Sequence, residues 1–447
     1  MHVDPICDRY RSGDSGASVA GIRGFCYGDG SGCLIWNTRH LQSTGVNQMK
    51  PLSDRINGLG TENAFVVLKE VNELIAKGKK IYNFCIGQPD FKTPRHICDA
   101  AKKAIDDGKH GYTPSTGIPE LRTSVARFFN ESRGLDFVPD DVVIACGGKP
   151  FIWYSIFVTT DYGKGDEVIF PNPGFPIYES MIRGQGAVPV PLYLRENKNF
   201  NFDIEELRKK ITPRTKLLIL NSPHNPTGGV LSKAELEEIA SICQEHDIWV
   251  YADEVYSKLV YDAPFASIAS IPGMRDRTIV VDCASKTYAM TGWRIGYMAN
   301  RILAPHVTRL VTNSDSCAPF PNQVAVAAAL DGSQADADHM LSVFRERRDF
   351  IVPGLNRING ITCRTPGGAF YVWPNVTEAC RMTGCKDSEE FRKRLLHEAG
   401  VACLADIHFG PRVPDEGQHI RFSYASSLED IQEGLNRTEE FIKRNTR

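Results

Sequence analysis

No stretch of this sequence is apolar and uncharged for long enough to cross a bilayer, which argues against a membrane-spanning helix. Net charge is nearly absent. The 52 lysines and arginines against 54 aspartates and glutamates leave −2, so electrostatics favours neither nucleic acid nor an anionic membrane. None of the 13 cysteines forms a Cys-x-x-Cys pair, and the tightest spacing, Cys380 to Cys385, has no histidine or cysteine set beside it. That argues against a zinc site or a disulfide framework. It leaves free thiols in a reducing, cytoplasmic setting, with no metal. No internal repeat is visible.

What is present is ordinary for a globular protein. Hydrophobic residues make up 42% and charged residues 24% of 447, enough chain for two domains and a sizeable core. Residues 1–48 differ from the rest. They are rich in Gly, Ser and Asp, lack a hydrophobic signal region, and carry Asp4, Asp8, Asp14 and Asp29 against an organelle transit peptide. Met49-Lys50-Pro51-Leu52 reads as a natural start, so 1–48 is expected to be a leader, disordered or not native to the protein.

Beyond it, Phe65, Leu68, Val71, Leu74 and Ile75 follow helical spacing up to a stop at Gly78. Short apolar runs then alternate with amphipathic helices. The expected strands are Val142–Ala145, Glu167–Phe170, Val188–Leu192, Lys216–Leu220, Ile248–Ala252 and Thr278–Val281, with helices over 120–130 and 234–245. This alternation predicts an α/β domain with a mostly parallel sheet. Helices near 335–358 and 388–399, around strands at 369–372 and 420–423, predict a smaller α+β domain. The expected division is 49–95 for the N-terminal part of the small domain, 96–325 for the large domain and 326–447 for the rest of the small domain.

Polar groups of unusual kinds follow these strands, where ligands of open α/β sheets bind. After Val142–Ala145 comes Gly147-Gly148-Lys149-Pro150. Glycines followed by Pro at a first helical turn make an anion site of free N–H groups, although a Gly-Gly pair by itself is usually a turn. After Lys216–Leu220 comes Ser222-Pro223-His224-Asn225-Pro226-Thr227-Gly228, turn chemistry that also fixes Asn225 at a strand end. His224 reads as structural. After Ile248–Ala252 comes Asp253-Glu254-Val255-Tyr256. Asp253 is either a helix cap or a carboxylate awaiting a cationic partner, because an unpaired one there is costly. After Thr278–Val281 comes Ser285-Lys286-Thr287-Tyr288-Ala289-Met290-Thr291-Gly292-Trp293-Arg294-Ile295-Gly296-Tyr297. A lone lysine is usually a solvated one. This one is flanked by small residues at a strand end, with an arginine eight positions on, which suits a Schiff-base nucleophile beside a phosphate.

These segments, in this order, resemble the class I aminotransferases of fold type I, in the aspartate-aminotransferase-like branch, over about residues 50–445. Gly111-Tyr112-Thr113-Pro114 and His419-Ile420-Arg421-Phe422-Ser423-Tyr424 support the match. The resemblance implies an α/β large domain with a seven-stranded, mostly parallel sheet plus a smaller α+β domain, and pyridoxal 5'-phosphate as cofactor. It implies that Lys286 forms the aldimine, that Asp253 pairs with the pyridine nitrogen, and that Asn225 and Tyr256 donate to the ring hydroxyl oxygen. Ser285, Arg294 and the turn at Gly148 and Lys149 would cup the phosphate, and Phe175 would stack on the ring. Tyr112 would reach the phosphate of a neighbouring subunit, so a homodimer with shared sites is implied. Arg421 would clamp the α-carboxylate of an amino acid or 2-oxo acid, with Gly87 in the adjoining loop. The catalytic set is Lys286, Asp253 and Tyr256.

The sequence departs from dicarboxylate-specific relatives at several points. Residues 311–319 carry no basic residue for a distal carboxylate; Lys149 stands where some relatives place one instead, and is equally a phosphate contact or a solvated helix start. Phe175 stands where Trp is frequent, and Cys283 replaces a hydroxyl residue of the cup. Glu62, near the mouth of the site, could disfavour acidic substrates. Substrate identity stays open at this level, including an aromatic or neutral donor. So does elimination or lyase chemistry with the same cofactor. A regulator carrying such a module is disfavoured, because residues 1–48 hold no helix-turn-helix pattern.

Overall fold

The computed structural model describes residues 50–446; the expected leader, 1–48, lies outside them. Twelve strands occur among the described residues: β1 (Tyr82–Asn83), β2 (Val142–Ala145), β3 (Glu167–Asn172), β4 (Val188–Tyr193), β5 (Thr215–Asn221), β6 (Trp249–Asp253), β7 (Thr278–Cys283), β8 (Gly296–Ala299), β9 (Tyr371–Val372), β10 (Val401–Ala402), β11 (Leu404–Ala405) and β12 (Ile420–Ser423).

Seven of them form one sheet in the order β2-β8-β7-β6-β5-β3-β4. Its ladders are parallel except those of β8, which runs antiparallel to both β2 and β7. The central strands are apolar on both faces because helices cover both faces. Val143, Ala145, Leu217, Ile219, Tyr251, Ile279 and Val281 enter one core. Their neighbours point the other way: Val142, Ile144 and Val280 into a second core, Leu218, Leu220, Val250 and Ala252 into a third. A representative covering helix, Lys233–Glu245, begins with a reciprocal cap. Ser232 Oγ accepts from the Glu235 N–H at 3.3 Å, and Glu235 Oε2 accepts from the Ser232 N–H at 2.7 Å.

The sequence-based expectations hold for six strands of this sheet, to within about two residues at each end. The seventh, β8, was not expected. It begins with glycine just past Arg294 and holds no run of β-branched residues, unlike the equally short β2. The first long helix, Asn63–Ala76, also differs in detail. It buries Ala64, Val67, Val71 and Leu74, whereas Phe65 is 59% exposed and Ile75 also faces outward. Val71 and Leu74 are buried as expected, while in the first turns the buried positions are Ala64 and Val67, one residue before the expected Phe65 and Leu68.

The C-terminal part contains a three-stranded antiparallel sheet, β11-β12-β9, and a two-stranded parallel pair, β1 with β10. Helices Ala335–Asn356 and Leu428–Asn445 pack on it, Gly354 lying against Leu435 so closely that a methyl group there would require the Leu435 side chain to move. Phe344, Phe370 and Tyr424 centre its core. The helix expected at 388–399 is α-helical over Ser388–Arg394 and finishes in a π-helical turn, Leu395–Ala399. No helix among the described residues is long and apolar enough to cross a membrane, and all ten cysteines among them are free thiols, seven of them buried.

Candidate active site

The carboxyl ends of β2, β5, β6 and β7 meet at one edge of the large sheet. Since β8 is antiparallel, its first residue, Gly296, lies at the same edge, in register with Ala145 on one side and Cys283 on the other. The connection from β7 to β8 therefore leaves and re-enters the sheet at one place, and it carries both Lys286 and Arg294. A cavity of about 540 Å³ opens there, within the usual range for a cofactor or small-ligand site. Gly87, Gly148, Lys149, Phe175, Asn225, Asp253, Tyr256, Ser285, Lys286, Arg294 and Arg421 all line it. Tyr112 is the exception. It does not line the cavity of the single chain, and it is 90% exposed.

The turn after β2 is shaped by glycine. Gly147 has φ +99°, and a Cβ on it would lie 2.2 Å from Arg294 Nη2. A Cβ on Gly296 would lie 2.3 Å from the Gly148 nitrogen. Bare backbone at both positions brings the arginine against the turn. Arg294, itself at φ +55°, donates from Nη2 to Cys146 O at 3.3 Å and from Nη1 to Thr291 O at 2.9 Å. Helix Pro150–Thr159 starts at this turn, so the Gly148 and Lys149 backbone at its N-terminus, Arg294 and Ser285 form a concave, positively biased wall of a kind that suits an anion.

Asp253 ends β6 beside Asn221 of β5. Its Oδ2 accepts a hydrogen bond from the Tyr178 hydroxyl at 2.6 Å, while its Oδ1 is buried without a partner. Burial pushes its pKa up to about 6, and the Tyr178 hydrogen bond acts against that rise. An unpaired buried carboxylate oxygen fits a cationic ring N–H of a ligand, not a helix cap. Lys286 Nζ donates to Gly87 O at 2.6 Å and lies 5.9 Å from the centre of the Tyr256 ring. Gly87 is glycine because Tyr371 occupies the space beside it: a Cβ would fall 2.0 Å from the Tyr371 hydroxyl oxygen. That hydroxyl is 2.8 Å from the Tyr256 hydroxyl.

Arg421, buried in β12, donates from Nη1 to Asn225 Oδ1 at 2.9 Å and from Nη2 to Cys85 O at 2.6 Å, leaving Nε unpartnered. It is sandwiched by Tyr371 and Phe409, at 4.3 and 4.9 Å from their ring centres. The Asn225 turn is tied to β6 through Asn221, which accepts from the Asn225 N–H at 2.9 Å and donates to Asp253 O at 3.1 Å. His224 has the structural role expected of it. Its Nδ1 lies 2.8 Å from Thr227 Oγ1, and burial holds its pKa down at about 3.

At the mouth, Lys149 Nζ pairs with Glu62 Oε2 at 2.7 Å and stands 5.4 Å from the centre of the Phe175 ring. Behind the site, Arg133 is fully buried between two carboxylates, donating to Glu254 at 2.6 Å and to Asp282 at 2.7 Å. Sequence reasoning missed Tyr178, Tyr371, Phe409 and His408, all lining the cavity. Only the short offset from Phe175 to Tyr178, one helical turn, was a usable signal. The others come from the distant C-terminal part.

The fold and this arrangement at the carboxyl edge of the sheet are those of a transaminase. Residues 79–437 match the family model for aminotransferase class I and II, and the chain belongs to that family. It is 37% identical to an aspartate aminotransferase of Geobacillus stearothermophilus over 395 residues, covering 88% of this chain and 99% of that one. Among solved structures it superposes on an aspartate aminotransferase from Rhizobium meliloti with TM-score 0.83 and 32% identity, covering 89% of this chain and 100% of that one. An alanine aminotransferase from Pyrococcus furiosus gives TM-score 0.82 and 33% identity, over 88% and 100%.

Proposed function

We propose that this transaminase holds pyridoxal 5'-phosphate in the cavity, bonded through Lys286, and moves an amino group between an L-amino acid and a 2-oxo acid. The observation that carries the cofactor is the buried, unpartnered Oδ1 of Asp253 at the same sheet edge as Lys286 and the glycine-shaped wall suited to an anion. When bound, the cofactor supplies an electron sink for the charge left on Cα as its proton departs.

The chain's own residues do the rest. Asp253, as an anion, keeps a proton on the ring nitrogen. Tyr256 and the side-chain N–H group of Asn225, whose oxygen is already taken by Arg421, donate to the ring hydroxyl oxygen. Phe175 faces the ring. Gly148, Lys149, Ser285 and Arg294 receive the phosphate. Lys286 Nζ would hold the cofactor covalently and, once free, would carry the Cα proton. Arg421 clamps the α-carboxylate with a rigid fork that Cys85 O and Asn225 orient, beside Gly87. Tyr112, out of reach of its own cavity, serves the phosphate of a second copy in a homodimer. Free, mostly buried thiols are compatible with a reducing compartment such as the cytoplasm.

The test is direct. Protein incubated with pyridoxal 5'-phosphate should turn yellow, and borohydride should fix the cofactor to the peptide containing Lys286. An amino donor without oxo acid should then discharge the colour of unreduced enzyme in one half-reaction. Labelling at another lysine, or no label, would reject this reading. Release of ammonia in place of amino transfer would reject transamination alone.

A further inference from the structure

We propose that Tyr178 is a positioning residue for the cofactor: its hydroxyl holds Oδ2 of Asp253 so that the other oxygen, Oδ1, is presented as an anion to the ring nitrogen. The inference rests on the cofactor reading above and assigns this chain's tyrosine a role within it.

Three observations carry it. First, Tyr178 is fully buried, yet its hydroxyl reaches the cavity wall and lies 2.6 Å from Asp253 Oδ2. It is the only side-chain hydrogen-bond donor to that carboxylate among the described residues. Second, the other charged groups nearby cannot replace it. Glu254 and Asp282 are carboxylates themselves and are already held by Arg133. Third, the Tyr178 ring meets the Phe175 ring edge to face, with centres 5.7 Å apart at 81°. One side chain thus contacts both the carboxylate proposed to meet the ring nitrogen and the aromatic proposed to face the ring.

The local sequence explains the reach. Phe175 and Tyr178 are one helical turn apart at the start of helix Ile177–Gly184, so both project towards the ends of β5 and β6. A buried carboxylate stays ionised only where donors replace lost water. Without the phenol, only the Val255 backbone N–H would still favour the ion, so Asp253 would be more readily protonated and Oδ1 less firmly aimed.

Tyr178→Phe separates the two roles, keeping the ring against Phe175 and removing only the hydrogen bond. A hydrogen bond to a charged group is worth about 1.5–3 kcal/mol, or roughly 10- to 100-fold. The readout is binding to cofactor-free protein, followed by quenching of intrinsic fluorescence. One probe is pyridoxal 5'-phosphate, the other its carbocyclic analogue with C–H in place of the ring nitrogen. Tyr178→Phe should weaken the first by about tenfold or more and leave the second nearly unchanged, with kcat falling more than the KM for the amino donor changes. Equal weakening of both probes would mean a general packing role, and no weakening of either would mean an idle contact; each overturns the proposal. If unmodified protein binds neither probe, the cofactor reading itself fails, an outcome separate from these.

Discussion

Asp253 shows most sharply how one residue trades stability for function. Its folded-state pKa, about 6, lies above the usual carboxyl value near 3.9. The folded protein therefore holds the proton more tightly than the unfolded chain. Its stabilising contribution is complete below pH 4 and is lost as pH rises through 6. In cofactor-free protein, Asp253→Asn should be more stable than the parent at pH 7 by about 2–3 kcal/mol, and no more stable at pH 4. Urea midpoints at the two pH values check this, and an equal gain at both would contradict it. The same variant should lose most turnover when loaded, about 100-fold or more, since a neutral amide cannot hold the ring proton. Glu62 is a second residue-scale case. Its ion pair with Lys149 is half-exposed and worth at most about 1 kcal/mol. It nonetheless occupies Lys149, whose alternative role to a phosphate contact is to meet a substrate side-chain carboxylate. Glu62→Gln should raise kcat/KM for aspartate relative to alanine by up to about fivefold, read as the ratio of the two donors. An unchanged ratio would place side-chain selection elsewhere. Lysine, aspartate, asparagine and arginine at strand ends were legible in the sequence because each sits in a short local segment. Tyr178, His408 and Tyr371 were not, because a tyrosine or histidine inside a helix or core strand looks like packing until the fold brings it to the cavity.

Among the elements, β8 has the largest consequence for its length. It closes the gap between β2 and β7, and because it runs antiparallel it starts at the site edge, so the connection carrying Lys286 and Arg294 stays there from end to end. The contact that allows this is backbone on backbone, Gly296 against Gly147 and Gly148. Gly296→Ala should push the turn after β2 outward at a cost of about 1–3 kcal/mol, because no flexible side chain is present to yield. The expected signature is a lower melting temperature together with weaker cofactor affinity. A drop in melting temperature with intact affinity would show that the turn tolerates the shift. Six strands were readable since each is an apolar run between turn signals. β8 was not, and the first turns of the first helix were read one position out of phase, because periodicity reports spacing but not which neighbour offers room.

At the scale of the whole molecule, the site draws on residues from Glu62 to Arg421, and the bond from Arg421 to Cys85 O joins segments 336 residues apart. Tyr112, 90% exposed, is the one expected site residue that a single chain leaves outside. If a second copy receives it, Lys286→Ala and Tyr112→Ala chains, each impaired alone, should regain activity on mixing, because the mixed dimer contains one complete site. Sedimentation should show two copies per particle, and a mixture no more active than its parts would argue for sites confined to single chains. A division into large and small parts is an expectation drawn from the change in element pattern near residue 326, and no local signal in the sequence places Phe409 and Tyr371 around the arginine of β12. The buried arginine behind the site has a separate consequence. Arg133 joins Glu254, next to Asp253, to Asp282, four residues before Lys286. Buried ion clusters of this kind add little to melting temperature and are often replaced by apolar groups without loss. Engineering for heat resistance that selects on melting alone would be free to remove this clamp, and would do so blind to the alignment of the two strands it ties together.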